Sequence, residues 1–240
     1  MTDERFQRIR MVLVEPSHPG NIGGAARALK TMGLSQLAVV NPQRFPDPQA
    51  EWRAAGAQDV LQAVQVFHSV EDAIADCHWV VGTSTRSRRI PWPLKAADAV
   101  AADILAQPLE TRVAVLFGRE TNGLSNDELQ LCHCHLQIPA NPDYPSLNLA
   151  MAVQVVCYEL FKQAGSVTPA AAWDHPPASA AELQGFMTHL EAVLVRAGFL
   201  NPRNPGQTMT RLRRLFTRAG MDEKEVQMLR GVLKELDPGE

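Results

Sequence analysis

The stretch from Ile138 to Gln154, Ile-Pro-Ala-Asn-Pro-Asp-Tyr-Pro-Ser-Leu-Asn-Leu-Ala-Met-Ala-Val-Gln, decides how the rest of the chain is read. The alternating run His133 to Ile138 leads into it and reads as a strand. Pro139, Pro142 and Pro145 then set a loop that loses little entropy on ordering. Ser146 offers a hydroxyl to an orphan backbone N–H and is the expected N-cap of a helix continuing to about Phe161. A stiff loop of bare carbonyls and amides, ending at a helix N-terminus, suits a polar ligand that carries an aromatic base. Taken alone, the same residues also describe an ordinary strand-to-helix turn.

Two other stretches bear on that choice. Leu116-Phe117-Gly118-Arg119-Glu120-Thr121-Asn122-Gly123-Leu124 follows a buried-looking strand, Val113 to Leu116, and Asn21-Ile22-Gly23-Gly24-Ala25-Ala26-Arg27 follows the first strand. With these residues the chain resembles the SPOUT class of RNA methyltransferases, most closely the TrmJ type of tRNA 2′-O-methyltransferase. The three motifs fall in family order: Asn-x-Gly-x-x-x-Arg, Phe-Gly-x-Glu-x-x-Gly-Leu and Ile-Pro…Ser-Leu-Asn-Leu-Ala. The resemblance covers about residues 9 to 162 and continues more weakly into the tail. It implies a parallel α/β sheet with helices on both faces, whose late loop and helix form a trefoil knot. Sequence rules alone would not propose a knot, because connections that thread loops are very rare.

A length of 240 residues fits one large domain, or one domain with a small appendage. The apolar fraction of 45% supplies a core. A formal net charge of −3 argues against indiscriminate nucleic-acid binding, so any RNA contact needs a local basic face. No apolar run approaches the length of a membrane span, and the N-terminus, with Asp3 and Glu4 before Met11 to Val14, is not a signal peptide. Four irregularly spaced cysteines read as reduced cytosolic thiols.

In chain order, Arg10 to Val14 is the first buried strand, and Asn21 is expected to cap a helix running to Met32. Glycines 20, 23 and 24 strip side chains from the surface around Arg27, where a bulky polymer would approach. Leu37 to Val40 is a strand, Glu51 to Leu61 a helix, Val64 to Phe67 a strand, Val70 to Ala75 a helix and Trp79 to Val81 a strand. That alternation implies a parallel sheet. Ser125 and Glu128 have the capping-box spacing. Residues 1–162 are therefore expected to form the catalytic domain and 163–181 a linker, which Trp173 pins in part. Residues 182–240 form a helical extension, with helices at Glu182 to Ala197, Thr208 to Ala219 and Asp222 to Leu236. An extension this small needs docking to be stable.

By resemblance, S-adenosylmethionine is held by three loops. The first contains Thr83, Ser84 and Thr85, the second Gly118, and the third Ile138, Pro145, Ser146, Leu147 and Asn148. A β-carbon at Gly118 is expected to intrude on the ligand. A nicotinamide site at Gly20 to Gly24 is set aside, since the run lacks G-x-G-x-x-G spacing and the second strand ends at Asn41 rather than an acidic residue. The resemblance gives the catalytic role to Arg27, with Ser146 and Asn148 orienting the ribose or the arginine. A guanidinium keeps its proton in proteins, so stabilising charge on the 2′-oxygen suits it better than acting as a base. Glu120 either pairs with an arginine across the site or is a plain surface carboxylate.

RNA contacts are expected from Asn21, Lys30 and the Arg86, Arg88, Arg89 cluster. They are also expected from Arg211, Arg213, Arg214 and Arg218, which point outward opposite Leu212, Leu215 and Phe216. His18 sits near RNA or is a turn residue. Cys132-His133-Cys134-His135 has metal-ligand residue types. Strand alternation puts its cysteines on one face and its histidines on the other, so no metal is expected. The resemblance further implies a homodimer in which Arg27 faces the cofactor held by the other subunit, and a target at nucleotide 32 of the tRNA anticodon loop, cytidine or uridine. A non-catalytic RNA-binding factor with the same fold is the rival reading; retention of the cofactor loops argues against it.

Overall fold

In the computed structural model, residues 3–84, 93–165, 175–201 and 207–237 are described. Thr85, Arg86, Arg88, Arg89 and Trp173 lie outside them. Seven strands form one wholly parallel sheet: β1 Ile9–Val14, β2 Gln36–Val40, β3 Gln65–Phe67, β4 Trp79–Thr83, β5 Leu94–Ala96, β6 Val113–Phe117 and β7 Cys134–Gln137. Their order is β3-β2-β1-β6-β4-β7-β5. The helices are α1 Pro19–Thr31, α2 Pro48–Ala54, α3 Gln58–Gln62, α4 Val70–Ile74, α5 Ala97–Ala106, α6 Asn126–Gln130, α7 Leu149–Gln163, α8 Ala180–Arg196, α9 Thr208–Ala219 and α10 Glu223–Glu235.

Both faces of the sheet are covered, so the central strand β6 is apolar without interruption and every residue of it is buried. Strand alternation divides them between two cores. Met11, Leu13, Val115 and Phe117 pack with α1, α5 and α7. Val12, Val14, Ala114 and Leu116 pack with α4 and α6. Arg8 is buried at the edge of the first core. It donates to the carbonyls of Ile104 and Gln107 at the end of α5 and to that of Thr111 beyond it.

Several element boundaries differ from those expected. The first helix begins at Pro19, and its cap is His18, whose Nδ1 accepts from the Gly20 amide at 3.2 Å. Proline fits the first helical turn, where its missing N–H costs nothing. The single helix read at Glu51 to Leu61 is two helices. Ala55 (φ 40°) and Gly56 (φ 93°) turn left-handed between them. The edge strand β5 and the alanine-rich α5 had no counterpart in the sequence reading. The last strand starts at Cys134, so Cys132 enters the second core and Cys134 the first, not a shared face.

The neighbouring histidines are held by backbone. His133 Nδ1 accepts from the Val80 amide at 3.0 Å, and His135 Nε2 lies 3.1 Å from the Leu129 carbonyl. Burial pushes the His133 pKa down to about 4, which keeps the ring neutral. Among the described residues no group of three or more His, Cys, Asp or Glu is placed to hold a metal ion. Among the same residues no helix is long and apolar enough to cross a membrane.

The C-terminal helices share a core of Phe186, Met187, Leu190, Met221 and Val226, with Phe186 edge-on to Phe216 at 4.8 Å. Ser179 and Glu182 form a capping box, so α8 starts at Ala180, two residues earlier than expected. The amides of Ala180 and Ala181 donate to the carbonyls of Cys77 and Ala75, tying this unit to the end of α4. On α9 the inward positions are Met209, Leu212, Arg213, Phe216 and Thr217, at i, i+3, i+4, i+7 and i+8.

Leu215 therefore falls off that face and is 48% exposed, while Thr217 is 2% exposed. Arg213 turns inward, contrary to expectation. It donates to Gln184 Oε1 at 2.8 Å, and burial holds its pKa below the usual arginine value. Arg214 is half-buried, and Arg211 and Arg218 are exposed.

Candidate active site

Three loops leave the C-terminal ends of the adjacent strands β6, β4 and β7 and enclose a cavity of about 320 Å³. Ligands of open α/β sheets bind at this edge, and the volume falls in the range of small-molecule sites. Thr83 and Ser84 come from the first loop, Gly118 to Leu124 from the second, and Ile138, Pro145, Ser146 and Leu147 from the third. Phe117, Leu136, Leu149 and Ala152, not among the cofactor contacts expected from sequence, supply the apolar floor. Phe117 stands in the middle motif and was legible there. Leu136 and Ala152 carry no local signal beyond hydrophobicity.

The floor is braced across strands. Thr83 Oγ1 donates to the Leu116 carbonyl and the Ser84 amide to the Leu136 carbonyl, both at 2.9 Å. The Thr83 hydroxyl thus has its proton committed to β6. Gly118 lines the cavity, but a β-carbon there would meet backbone rather than ligand. It would stand 2.1 Å from Gly123 C and 2.2 Å from Leu124 N. The loop folds back on itself at Gly123 (φ 68°), with Arg119 and Gly123 exchanging both backbone hydrogen bonds. Only a bare Cα fits against that return.

Side chains from all three motifs meet beside the cavity. Asn21 Nδ2 donates to Glu120 Oε1 at 2.8 Å, and Asn21 Oδ1 accepts from Asn148 Nδ2 at 2.9 Å. Asn148 Oδ1 accepts from the amides of Ala150 and Met151, so Asn148 is the N-cap of α7 and Ser146 is not. Glu120 also accepts from the amides of Ser17 and His18. Its partners are therefore Asn21 and backbone, not an arginine. Burial acts against ionisation of Glu120, but the Asn21 and Ser17 donors outweigh it and its pKa is lowered. Asn21 is only 8% exposed, which removes it from a surface that grips RNA. Asn148 does not line the cavity.

The glycines near Arg27 serve packing. A β-carbon at Gly23 would lie 2.0 Å from the Ala50 carbonyl of α2, and one at Gly24 would lie 2.9 Å from Ala150 Cβ of α7. They let α1 approach both neighbours instead of clearing a surface for polymer. Arg27, one turn beyond Gly23, is exposed and does not line the cavity of its own chain. Lys30 pairs with Asp59 at 2.8 Å and donates to the Gly56 carbonyl. Ser146 is exposed at the cavity wall.

Against this geometry, the model of the SpoU rRNA Methylase family matches residues 8–158, which contain every described residue lining the cavity. The chain belongs to the SpoU methylase family.

A second model, the C-terminal domain of tRNA methyltransferase TrmJ, matches residues 181–239. The chain is 49% identical over 237 residues to the tRNA (cytidine/uridine-2'-O-)-methyltransferase TrmJ of Citrobacter koseri, covering 97% of each. It is 48% identical to the protein of that name from Cronobacter sakazakii, again over 97% of each. Among solved structures it is similar to TrmJ from Z. mobilis ZM4. That match has 37% identity and a TM-score of 0.83, covering 95% of this chain and 98% of that one. The motif residues of this SpoU methylase therefore have distinct places. The strand-end loops shape a cavity, Asn21, Glu120 and Asn148 join those loops, and Arg27 stands exposed on α1.

Proposed function

We propose that this SpoU-family enzyme methylates the 2′-oxygen of a ribose in a tRNA anticodon loop, nucleotide 32, as cytidine or uridine. The donor is S-adenosylmethionine. The observation that carries the reading is the convergence of three strand-end loops on one cavity, two of them bearing the middle and late motifs, supported by near-half identity to proteins named for this reaction. The cavity fits such a cofactor. Apolar walls from Phe117, Leu136, Ile138 and Leu149 suit a flat base, while Ser84, Ser146 and the 118–124 loop offer polar groups for its ribose and amino-acid ends. When bound, the sulfonium supplies an electrophilic methyl group with a good leaving group, so the enzyme's contribution is mainly positioning.

Arg27 does not reach the cavity of its own chain, and a second subunit supplies it. The exposed face of α7 supports this assembly: Met151, Tyr158 and Phe161 are 62%, 49% and 55% exposed at helical spacing. In the homodimer, Arg27 of the partner subunit grips the phosphate beside the target ribose and stabilises negative charge developing on the 2′-oxygen. Ser146 orients that ribose. Asn148 acts indirectly, by capping α7 and holding Asn21. Four buried free cysteines suit a cytosolic enzyme.

Residues 1–162 form the catalytic unit, 163–181 the linker and 182–240 the RNA-binding extension, where Arg211 and Arg218 face solvent. Arg86, Arg88 and Arg89, outside the described residues, add phosphate contacts. Changing Arg211 and Arg218 together to Glu is expected to weaken tRNA binding. The slope of log affinity against log salt should fall by roughly 0.7 to 0.9 for each phosphate that is no longer neutralised. A dimeric variant that binds tRNA like the parent at every salt concentration removes the extension from the interface.

The function itself is tested by incubating tRNA transcripts with labelled S-adenosylmethionine and mapping the modified nucleotide. A methyl group on the ribose of nucleotide 32 is expected. Transfer elsewhere would correct the position. Cofactor binding without transfer to any tRNA would favour the non-catalytic RNA-binding factor.

A further inference from the structure

Arg119 stands at the wall of the cofactor cavity, where a cation would ordinarily be assigned to an anionic ligand group or an RNA phosphate. Its hydrogen bonds exclude both. Nε and Nη2 donate to the two oxygens of Glu15 at 2.9 and 2.6 Å. Nη1 and Nη2 donate to the two oxygens of Glu128, both at 3.0 Å. Nη1 also reaches the Gly123 carbonyl at 3.5 Å. A guanidinium has five N–H donors, and these contacts use all of them. Two bidentate carboxylates raise its pKa further above the ordinary arginine value, and Arg119 in turn lowers that of Glu15.

The two carboxylates belong to different parts of the fold. Glu15 follows β1 in a left-handed conformation (φ 46°), at the start of the turn leading into α1. Glu128 closes the capping box of α6, and its Oε2 also accepts from the Ser125 amide at 2.6 Å. Arg119 therefore ties the 118–124 loop to what lies on either side of it. Glu120 follows immediately and holds the far end of the same turn, through Ser17, His18 and Asn21.

We infer that Arg119 is a positioning residue for the methyl-donor cofactor: clamped between Glu15 and Glu128, it fixes the cavity-lining loop in its binding shape and gives its guanidinium donors to neither cofactor nor RNA. This rests on the reading of the cavity as the S-adenosylmethionine site. A clamp of this kind sets cofactor affinity, because a loop left loose must be ordered again at each binding event. Lysine cannot replace it, since a point charge cannot serve two carboxylates bidentately.

The test measures S-adenosylmethionine binding to the full chain by calorimetry, without RNA, alongside tRNA affinity and turnover at saturating cofactor. The parent is titrated first; if it binds no cofactor, the reading of the cavity falls and the inference with it. With a binding parent, Arg119→Ala and Arg119→Lys are each expected to raise the cofactor Kd about 10- to 100-fold. Turnover at saturating cofactor and tRNA affinity should stay within about threefold of the parent. Parent-like cofactor affinity in Arg119→Ala overturns the inference alone, as does a loss confined to tRNA affinity. If Arg119→Ala and Arg119→Lys do not fold, Glu15→Gln decides, because it keeps an acceptor and removes one charge. A cofactor Kd raised fivefold or more supports the clamp, and an unchanged one overturns it.

Discussion

Arg27→Ala is expected to lower turnover by a factor on the order of 100 or more and to leave the affinity for S-adenosylmethionine unchanged. The expectation follows from where the residue stands. Arg27 is exposed on α1 and absent from the cavity lining of its own chain, and its proposed place is at the target ribose and phosphate, so its loss should leave the cofactor's own contacts in place. On the role proposed for Arg27, what disappears is a fixed positive fork beside the oxygen that gains charge in the transition state, where such a group acts most strongly. Arg27→Lys is expected to recover little, because an ammonium cannot bridge a phosphate and an alkoxide with the geometry of a planar fork. Mixed dimers of the proposed assembly give a sharper test. An Arg27→Ala subunit combined with one defective in cofactor binding should retain one working site, in which the intact arginine faces the intact cavity. Near-normal turnover in Arg27→Ala, or an effect limited to cofactor affinity, would end this assignment.

The second large effect is expected at Gly118. Gly118→Val should abolish measurable cofactor binding, and Gly118→Ala should already weaken it severely. The reason differs from the one the motif suggests. An added β-carbon would overlap the backbone of Gly123 and Leu124 at about 2.1 Å, so the return of the loop must open before any ligand arrives. The two backbone hydrogen bonds between Arg119 and Gly123 would break with it. Gly118 follows β6 directly, and β6 itself is unaffected, so the variant should still unfold cooperatively. Calorimetry with S-adenosylmethionine checks this, with thermal unfolding measured in parallel. Unchanged affinity in a folded Gly118→Val would remove the loop from the site.

Much of this protein was legible from local pattern. The uninterrupted apolar runs Met11 to Val14 in β1 and Val113 to Phe117 in β6 announce strands buried on both faces. The Ser125–Glu128 and Asp222–Glu225 spacings each produced a capping box, because a cap is satisfied within one helical turn. The middle and late motifs named two of the loops that border the cavity, and seven described residues expected at the cofactor, Thr83, Ser84, Gly118, Ile138, Pro145, Ser146 and Leu147, line it. Short-range chemistry fixes such features, and a single sequence contains all of it.

What each motif residue does was decided only by tertiary structure. Asn21 meets Glu120 across 99 residues and Asn148 across 127, and no periodicity encodes a contact at that separation. Those contacts turn a supposed RNA ligand into a buried link and a supposed catalytic amide into a helix cap. Gly23 and Gly24 read as clearings for a polymer. The folded chain shows them as the places where α1 touches α2 and α7, since the need for a bare Cα is set by whatever packs against it. On α9 hydrophobicity alone ranked Leu215 above Arg213 for the inner face, and the folded chain reverses that order, with Arg213 bonded to Gln184 of α8 and Leu215 exposed. Residue types and spacing determine which chemistry a chain carries. Which groups remain free to perform it depends on the partners that folding brings within hydrogen-bonding distance, because a donor already committed to a carboxylate or a carbonyl is no longer available to a substrate.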